Sequence, residues 1–133
     1  MSSVTGLAEV VLLVRDLDHS LGFYGDALGL ALISPPGMTG RAFLRIGAPA
    51  EGVPRQIVLV QRPADAPDQP GNRAHRGLHH IGLEITPEDF ESEQARFATL
   101  GFDVRTGEHP FLQVQAFYID DPDGNEVEIV AVK

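Results

Sequence analysis

The sequence predicts an α+β fold of two tandem βαβββ modules, forming a curved, cup-shaped mixed sheet with helices on the outside. Three observations predict it. A strand, a helix and three further strands can be read twice along the chain, with few gaps between the two copies. The first strand of each copy has one wholly apolar face, as a sheet packed on a helix requires. Each copy is also too small to bury its own sheet face, so the two must pair, and pairing encloses a concave surface suited to a ligand.

The first copy begins with Glu9-Val10-Val11-Leu12-Leu13-Val14, whose face Val10, Leu12, Val14 is apolar and whose other face carries Glu9, Val11 and Leu13. Asp16 or Asp18 can cap the helix that follows. Leu21, Tyr24 and Leu28 give that helix its apolar stripe, and Gly29 ends it. Strands are expected at Leu30 to Ile33, Arg41 to Ile46 and Gln56 to Gln61, the first stopped by Pro35-Pro36-Gly37. Gln61 to Gly77, rich in Pro, Asp, Gln and Arg, reads as a linker.

The second copy opens with His80-Ile81-Gly82-Leu83-Glu84-Ile85. Thr86-Pro87-Glu88-Asp89 is a helix start, with Thr86 as N-cap, Pro in the first turn and acids near the positive helix end. Phe90, Phe97 and Leu100 form the expected buried stripe, and Gly101 closes the helix. Strands follow at Phe102 to Arg105, Gln113 to Asp120 and Glu126 to Val132. Aligning the copies sets Ala42-Phe43-Leu44 against Ala116-Phe117-Tyr118, and Ile57-Val58-Leu59 against Val127-Glu128-Ile129. The result is a single domain: module one at about 7–61, a linker at about 62–77 and module two at about 78–133.

Composition narrows the function. A formal charge of −9 argues against nucleic acid, whose phosphates demand a basic footprint. No apolar run approaches the roughly 20 residues that span a bilayer, and no signal peptide is visible at Met1-Ser2-Ser3-Val4. The absence of cysteine excludes a thiol nucleophile and fits the expected cytoplasmic location.

Chemistry is expected on the last two strands. Asp121-Pro122-Asp123-Gly124-Asn125 is a tight turn, since Pro presets φ and Gly and Asn tolerate the left-handed region. In the strand after it Glu128 interrupts an apolar run, and a carboxylate there is costly to bury unless paired or bound to a cation. If the apolar strand faces pack on helices, Glu9 and His80 occupy equivalent places on the pocket side and Glu128 joins them. One imidazole and two carboxylates suit a divalent ion such as Mn, Fe, Ni, Co or Zn, with positions left for substrate. Glu84 shares the His80 face and is a candidate base, whereas His79, adjacent to His80, is expected to point to the opposite face. Tyr118 and Phe117 read as wall. Glu126, just after the turn, is expected to be wet, as are Arg41 and Arg45, with a hold on a substrate anion as the alternative for either arginine. His19, His75 and His109 look like surface residues.

These residues resemble the vicinal oxygen chelate superfamily of glyoxalases, bleomycin-binding proteins and extradiol dioxygenases. The resemblance rests on Val14-Arg15-Asp16-Leu17 through Ser20, Phe23-Tyr24, Leu28-Gly29, His80-Ile81, and Asp121-Pro122-Asp123-Gly124-Asn125 with Glu128. It implies metal ligands at Glu9, His80 and Glu128, and often a homodimer. It further implies a lyase, isomerase or dioxygenase that stabilises an enolate or alkoxide of a small oxygen-chelating substrate; a weakly metal-bound Glu9 is, beside Glu84, a second candidate for moving a proton. Two departures stand out. Many relatives have His in place of Glu9, and the place of a fourth ligand is held by Val58, with Gln61 nearby and Gln56 able to serve only with a shift of register. The alternative it implies is a drug-sequestering protein without chemistry, for which the acidic charge fits a cationic ligand; a third is a scaffold that mainly dimerises.

Overall fold

The computed structural model describes residues 2–133, which divide into two compact units, 2–66 and 67–133. Each unit has the expected βαβββ order. The first contains β1 (Glu9–Val14), α1 (Leu17–Leu21), β2 (Ala31–Leu32), β3 (Arg41–Arg45) and β4 (Gln56–Gln61). The second contains β5 (His80–Glu84), α2 (Phe90–Thr99), β6 (Arg105–Gly107), β7 (Val114–Asp120) and β8 (Glu126–Val132). The sheets are β1-β4-β3-β2 and β5-β8-β7-β6, each with its first pair parallel and the others antiparallel. A parallel pair needs a long crossover, and the helix and two intervening strands supply it. Among the described residues, no helix is long and apolar enough to cross a membrane.

In the first unit, Asp16 caps α1 by accepting from the His19 backbone N–H at 3.1 Å. The helix then widens into a π-helical turn over Gly22–Ala27, where the Leu28 N–H donates to the Phe23 carbonyl, and Gly29 leaves it at φ +76°. The widening rotates the later side chains relative to an α-helical count. Of the expected stripe Tyr24 is buried, Leu21 and, beyond the turn, Leu28 are half-buried, and Ser20 and Phe23 are buried beside Tyr24. The helix side of the sheet buries Leu12, Val14, Ala42, Leu44, Ile57 and Leu59.

In the second unit, Phe90 and Phe97 of α2 pack their rings on Phe117 of β7. Phe117 thus belongs to the core under the helix and not to a pocket wall. Leu100, expected to complete the stripe, is 54% exposed. Gly101 at φ +95° reverses the chain, the Gly101 N–H donates to the Ala98 carbonyl, and the Phe102 N–H donates to the Phe97 carbonyl. This is the Schellman closure, which brings the residue after the glycine back onto the last turn. Phe102 accordingly packs on Phe97, with ring centroids 5.5 Å apart, in the role expected of Leu100. That displaces the expected Phe102-to-Arg105 strand to Arg105–Gly107.

The ladders fix how the two units correspond. Glu9 pairs with Gln56 and Phe43 with Val58; His80 pairs with Glu126 and Tyr118 with Glu128. With Glu9 matched to His80, Val58 matches Glu128, as the sequence alignment has it. Phe43, however, matches Tyr118 and not Phe117, so that part of the alignment is off by one residue. A one-residue slip exchanges the two faces of a strand, which is why it misassigned Phe117.

Candidate functional site

On the face of the second sheet turned away from the core, the registers align His80, Gly82 and Glu84 of β5 with Glu126, Glu128 and Val130 of β8. Tyr118 and Asp120 of β7 extend these rows. The alternation that puts Ile81, Val127, Ile129, Phe117 and Ile119 toward the helix leaves the polar side chains together on the other side.

Glu128 is held by Tyr118, whose hydroxyl donates to Glu128 Oε2 at 2.5 Å. The bond to the carboxylate, burial and the charges of Glu128 and Glu126 push the phenol up to about 12, so it remains a donor throughout the neutral range. Glu128 Oε1 lies over Gly82, 3.2 Å from where a β-carbon would stand. The lack of a side chain at Gly82 makes room for that oxygen. Tyr118 therefore fixes the carboxylate, a role beyond that of wall.

His80 is exposed at the head of β5, with its ring 6.3 Å from that of Tyr118. His79 does not point away from it. The two Nδ1 atoms are 2.8 Å apart, and one ligand atom from each of His79, His80 and Glu126 lies within 4.8 Å of the others. Strand geometry begins at His80, so the alternation that predicts opposite faces does not extend to His79. Glu126 is also not wet: its side chain is 14% exposed.

Glu126 belongs to an ionic network. Arg73 donates to Glu126 Oε2 (2.5 Å) and Asp120 Oδ1 (3.1 Å), and Arg105 reaches the same two oxygens at 3.3 and 2.7 Å. Burial by itself would lower the Arg105 pKa, but the bonds and charges of Asp120 and Glu126 outweigh it and raise the value. Arg76 adds a bond to the Gly124 carbonyl at 2.8 Å. Two side chains of the stretch read as a linker are thus fastened to the second unit. The β7–β8 turn they grip is rigid by its own bonding. Buried Asp121 accepts from the backbone N–H groups of Asp123 and Asn125 through Oδ1, and from the Asn125 side chain through Oδ2.

In the first unit, Glu9 is exposed at the start of β1 and accepts from Gln56 Nε2 at 2.7 Å. Gln56 faces the same way as Glu9 with no shift of register. Gln61 is occupied elsewhere, bonding the Leu17 N–H and the Arg15 carbonyl. Val58 is buried. Glu84 is exposed at the end of β5 on the His80 face, and Arg45 donates to the Gly47 carbonyl. His109 is half-buried and accepts from the Phe111 and Leu112 N–H groups. The sequence reading missed His79, Tyr118 and Glu126 as polar partners. Their signal was the rung order of β5, β8 and β7, which needs the register to be read.

The donor set is chemically suited to a divalent ion: imidazole nitrogen, and a carboxylate with one oxygen bonded and the other turned toward a glycine. The model of the Glyoxalase/Bleomycin resistance protein/Dioxygenase superfamily matches residues 6–129. A glyoxalase/dioxygenase from Nostoc punctiforme superposes with a TM-score of 0.73 at 19% identity, covering 100% of this chain and 99% of that one. Lactoylglutathione lyase from Agrobacterium tumefaciens gives 0.67 at 22% identity, covering 98% and 96%. The fosfomycin resistance protein FosX from Listeria monocytogenes gives 0.68 at 18%, covering 98% and 95%. At these identities the three structures establish a shared fold.

Proposed function

Because the chain belongs to the Glyoxalase/Bleomycin resistance protein/Dioxygenase superfamily, we propose that it is a divalent-metal-dependent enzyme acting on a small oxygen-chelating substrate. The reaction is of lyase, isomerase or dioxygenase type, and the proposed ligands are Glu9, His80 and Glu128. The observation that carries this reading is the fixing of Glu128 by Tyr118 on the same sheet face as the exposed His80. When bound, the ion would supply electrophilic stabilisation of negative charge developing on a substrate oxygen.

The chain's own residues have separate tasks. Tyr118, protonated up to about 12, keeps one Glu128 oxygen occupied as an acceptor and so limits how the carboxylate can turn. Gln56 does the same for Glu9. Glu84, exposed and on the His80 face, is the proposed proton-moving group, with Glu9 as the other candidate. A homodimer, as is common in the superfamily, is part of the proposal.

The test is metal analysis of protein purified without chelator, beside the His80→Ala variant. Stoichiometric divalent metal in the wild type and its loss in the variant are expected. No metal in the wild type, with ligand binding unaffected in the variant, overturns the reading.

A second reading, sequestration of a bulky ligand without chemistry, is favoured by the apolar character of the first unit's equivalent face. Val58 and Phe43 stand where the second unit has Glu128 and Tyr118, and Val11 and Leu13 on β1 are 51% and 56% exposed. Calorimetry with a cationic glycopeptide distinguishes it. Tight, salt-sensitive binding that is indifferent to metal supports sequestration, and absence of heat rejects it.

A further inference from the structure

We propose that the second unit holds a divalent transition-metal ion by itself, through His79, His80 and Glu126, needing neither Glu9 nor Glu128. One ligand atom from each of the three lies within 4.8 Å of the other two. The two Nδ1 atoms are 2.8 Å apart. Two nitrogens at right angles around one ion, each at about 2.0–2.1 Å from it, stand about 3 Å apart, so the imidazoles need to move little to share an ion.

Glu126 is set up as the third ligand. Both arginines take the same oxygen, Oε2, and among the described residues no hydrogen bond is seen at Oε1. Hydrogen bonds to the far oxygen of a carboxylate are what hold such ligands in place in metal sites. Asp120 also bonds both arginines, so each keeps an anionic partner when Glu126 is shared with an ion. Both histidines are exposed, which leaves them open to an ion from solvent. Two imidazoles and one carboxylate favour Zn, Ni, Co or Fe over Mg or Ca.

The site goes beyond the proposed function and shares only His80 with it. Calorimetric titration of Zn²⁺ and of Co²⁺ into the metal-free full chain tests it, using His79→Ala, Glu126→Gln and a Glu9→Gln/Glu128→Gln double variant. His79 is exposed and outside the strand, so His79→Ala leaves the fold intact, and circular dichroism checks Glu126→Gln. His79→Ala and Glu126→Gln are each expected to weaken binding by about tenfold or more, the scale on which even outer partners of a metal act. In the Glu9→Gln/Glu128→Gln double variant, which removes two ligands of the proposed function, one equivalent of ion is still expected to bind, and adding His79→Ala to that background is expected to abolish it. Loss of all binding in the double variant, with none lost in His79→Ala, overturns this site and supports the ligand set of the proposed function. No binding by the wild type overturns both.

Discussion

Tyr118 and Glu128 face each other across the β7–β8 ladder, and the tyrosine hydroxyl donates to the glutamate at 2.5 Å. On the matching rung of the first unit stand Phe43 and Val58. One sheet therefore carries a bonded polar pair where its counterpart carries two apolar side chains. The carboxylate survives inside an apolar strand because its partner is supplied by the neighbouring strand.

That pair has a titration signature. The folded-state phenol lies near 12, above its ordinary value of 10.0, chiefly because its proton is held by the bond to the Glu128 carboxylate, with burial and the neighbouring negative charges adding to it. A group whose folded pKa is raised contributes stability that is complete below the unfolded pKa and is lost as pH rises through the folded one. The contribution is thus constant at neutral pH and fades between about 10 and 12. Ultraviolet titration of wild type minus Tyr118→Phe should show one phenol ionising near 12. Ionisation at an unshifted value would contradict the pair.

Gly82→Ala tests the room left for Glu128. The new methyl would sit 3.2 Å from Oε1, close enough to displace the flexible carboxylate end without disturbing backbone. Thermal stability should change by less than about 1 kcal/mol, while divalent-ion binding through Glu128 falls. An unchanged affinity in this variant would argue that Glu128 is not a ligand.

Asp121→Ala should be severe. It removes the acceptor for two backbone N–H groups and one side-chain amide in a buried turn. A loss of about 2–4 kcal/mol is expected in chemical denaturation, with Asp121→Asn losing less.

The closure of α2 makes a paired prediction. Phe102→Ala should cost about 1–3 kcal/mol, because the ring covers Phe97. Leu100→Ala should remain within about 0.5 kcal/mol, since the side chain is exposed. Equal effects in urea denaturation would contradict the assigned packing.

Much of the fold was legible because strand alternation and turn chemistry are local. β4 and β8 fall at the expected residues, and Gly29 and Gly101 end their helices as read. The errors arose where spacing changes without a sequence mark. Past the π-helical turn Leu28 is only half-buried, Phe23 is buried beside the expected Tyr24, and the Schellman closure exchanged Leu100 for Phe102. In the site, His80 and Glu128 could be chosen by residue type. Tyr118, His79 and Glu126 could not, because their significance lies in cross-strand pairing and in the point at which β5 starts.

The grip of Arg73 and Arg76 on the β7–β8 turn bears on how this protein can be dissected. A gene fragment opening at Leu78 would discard both arginines and leave Asp120 and Glu126 facing each other with only Arg105 between them. One opening at Pro67 keeps the clasp, so a useful cut must come before the residues that look most dispensable.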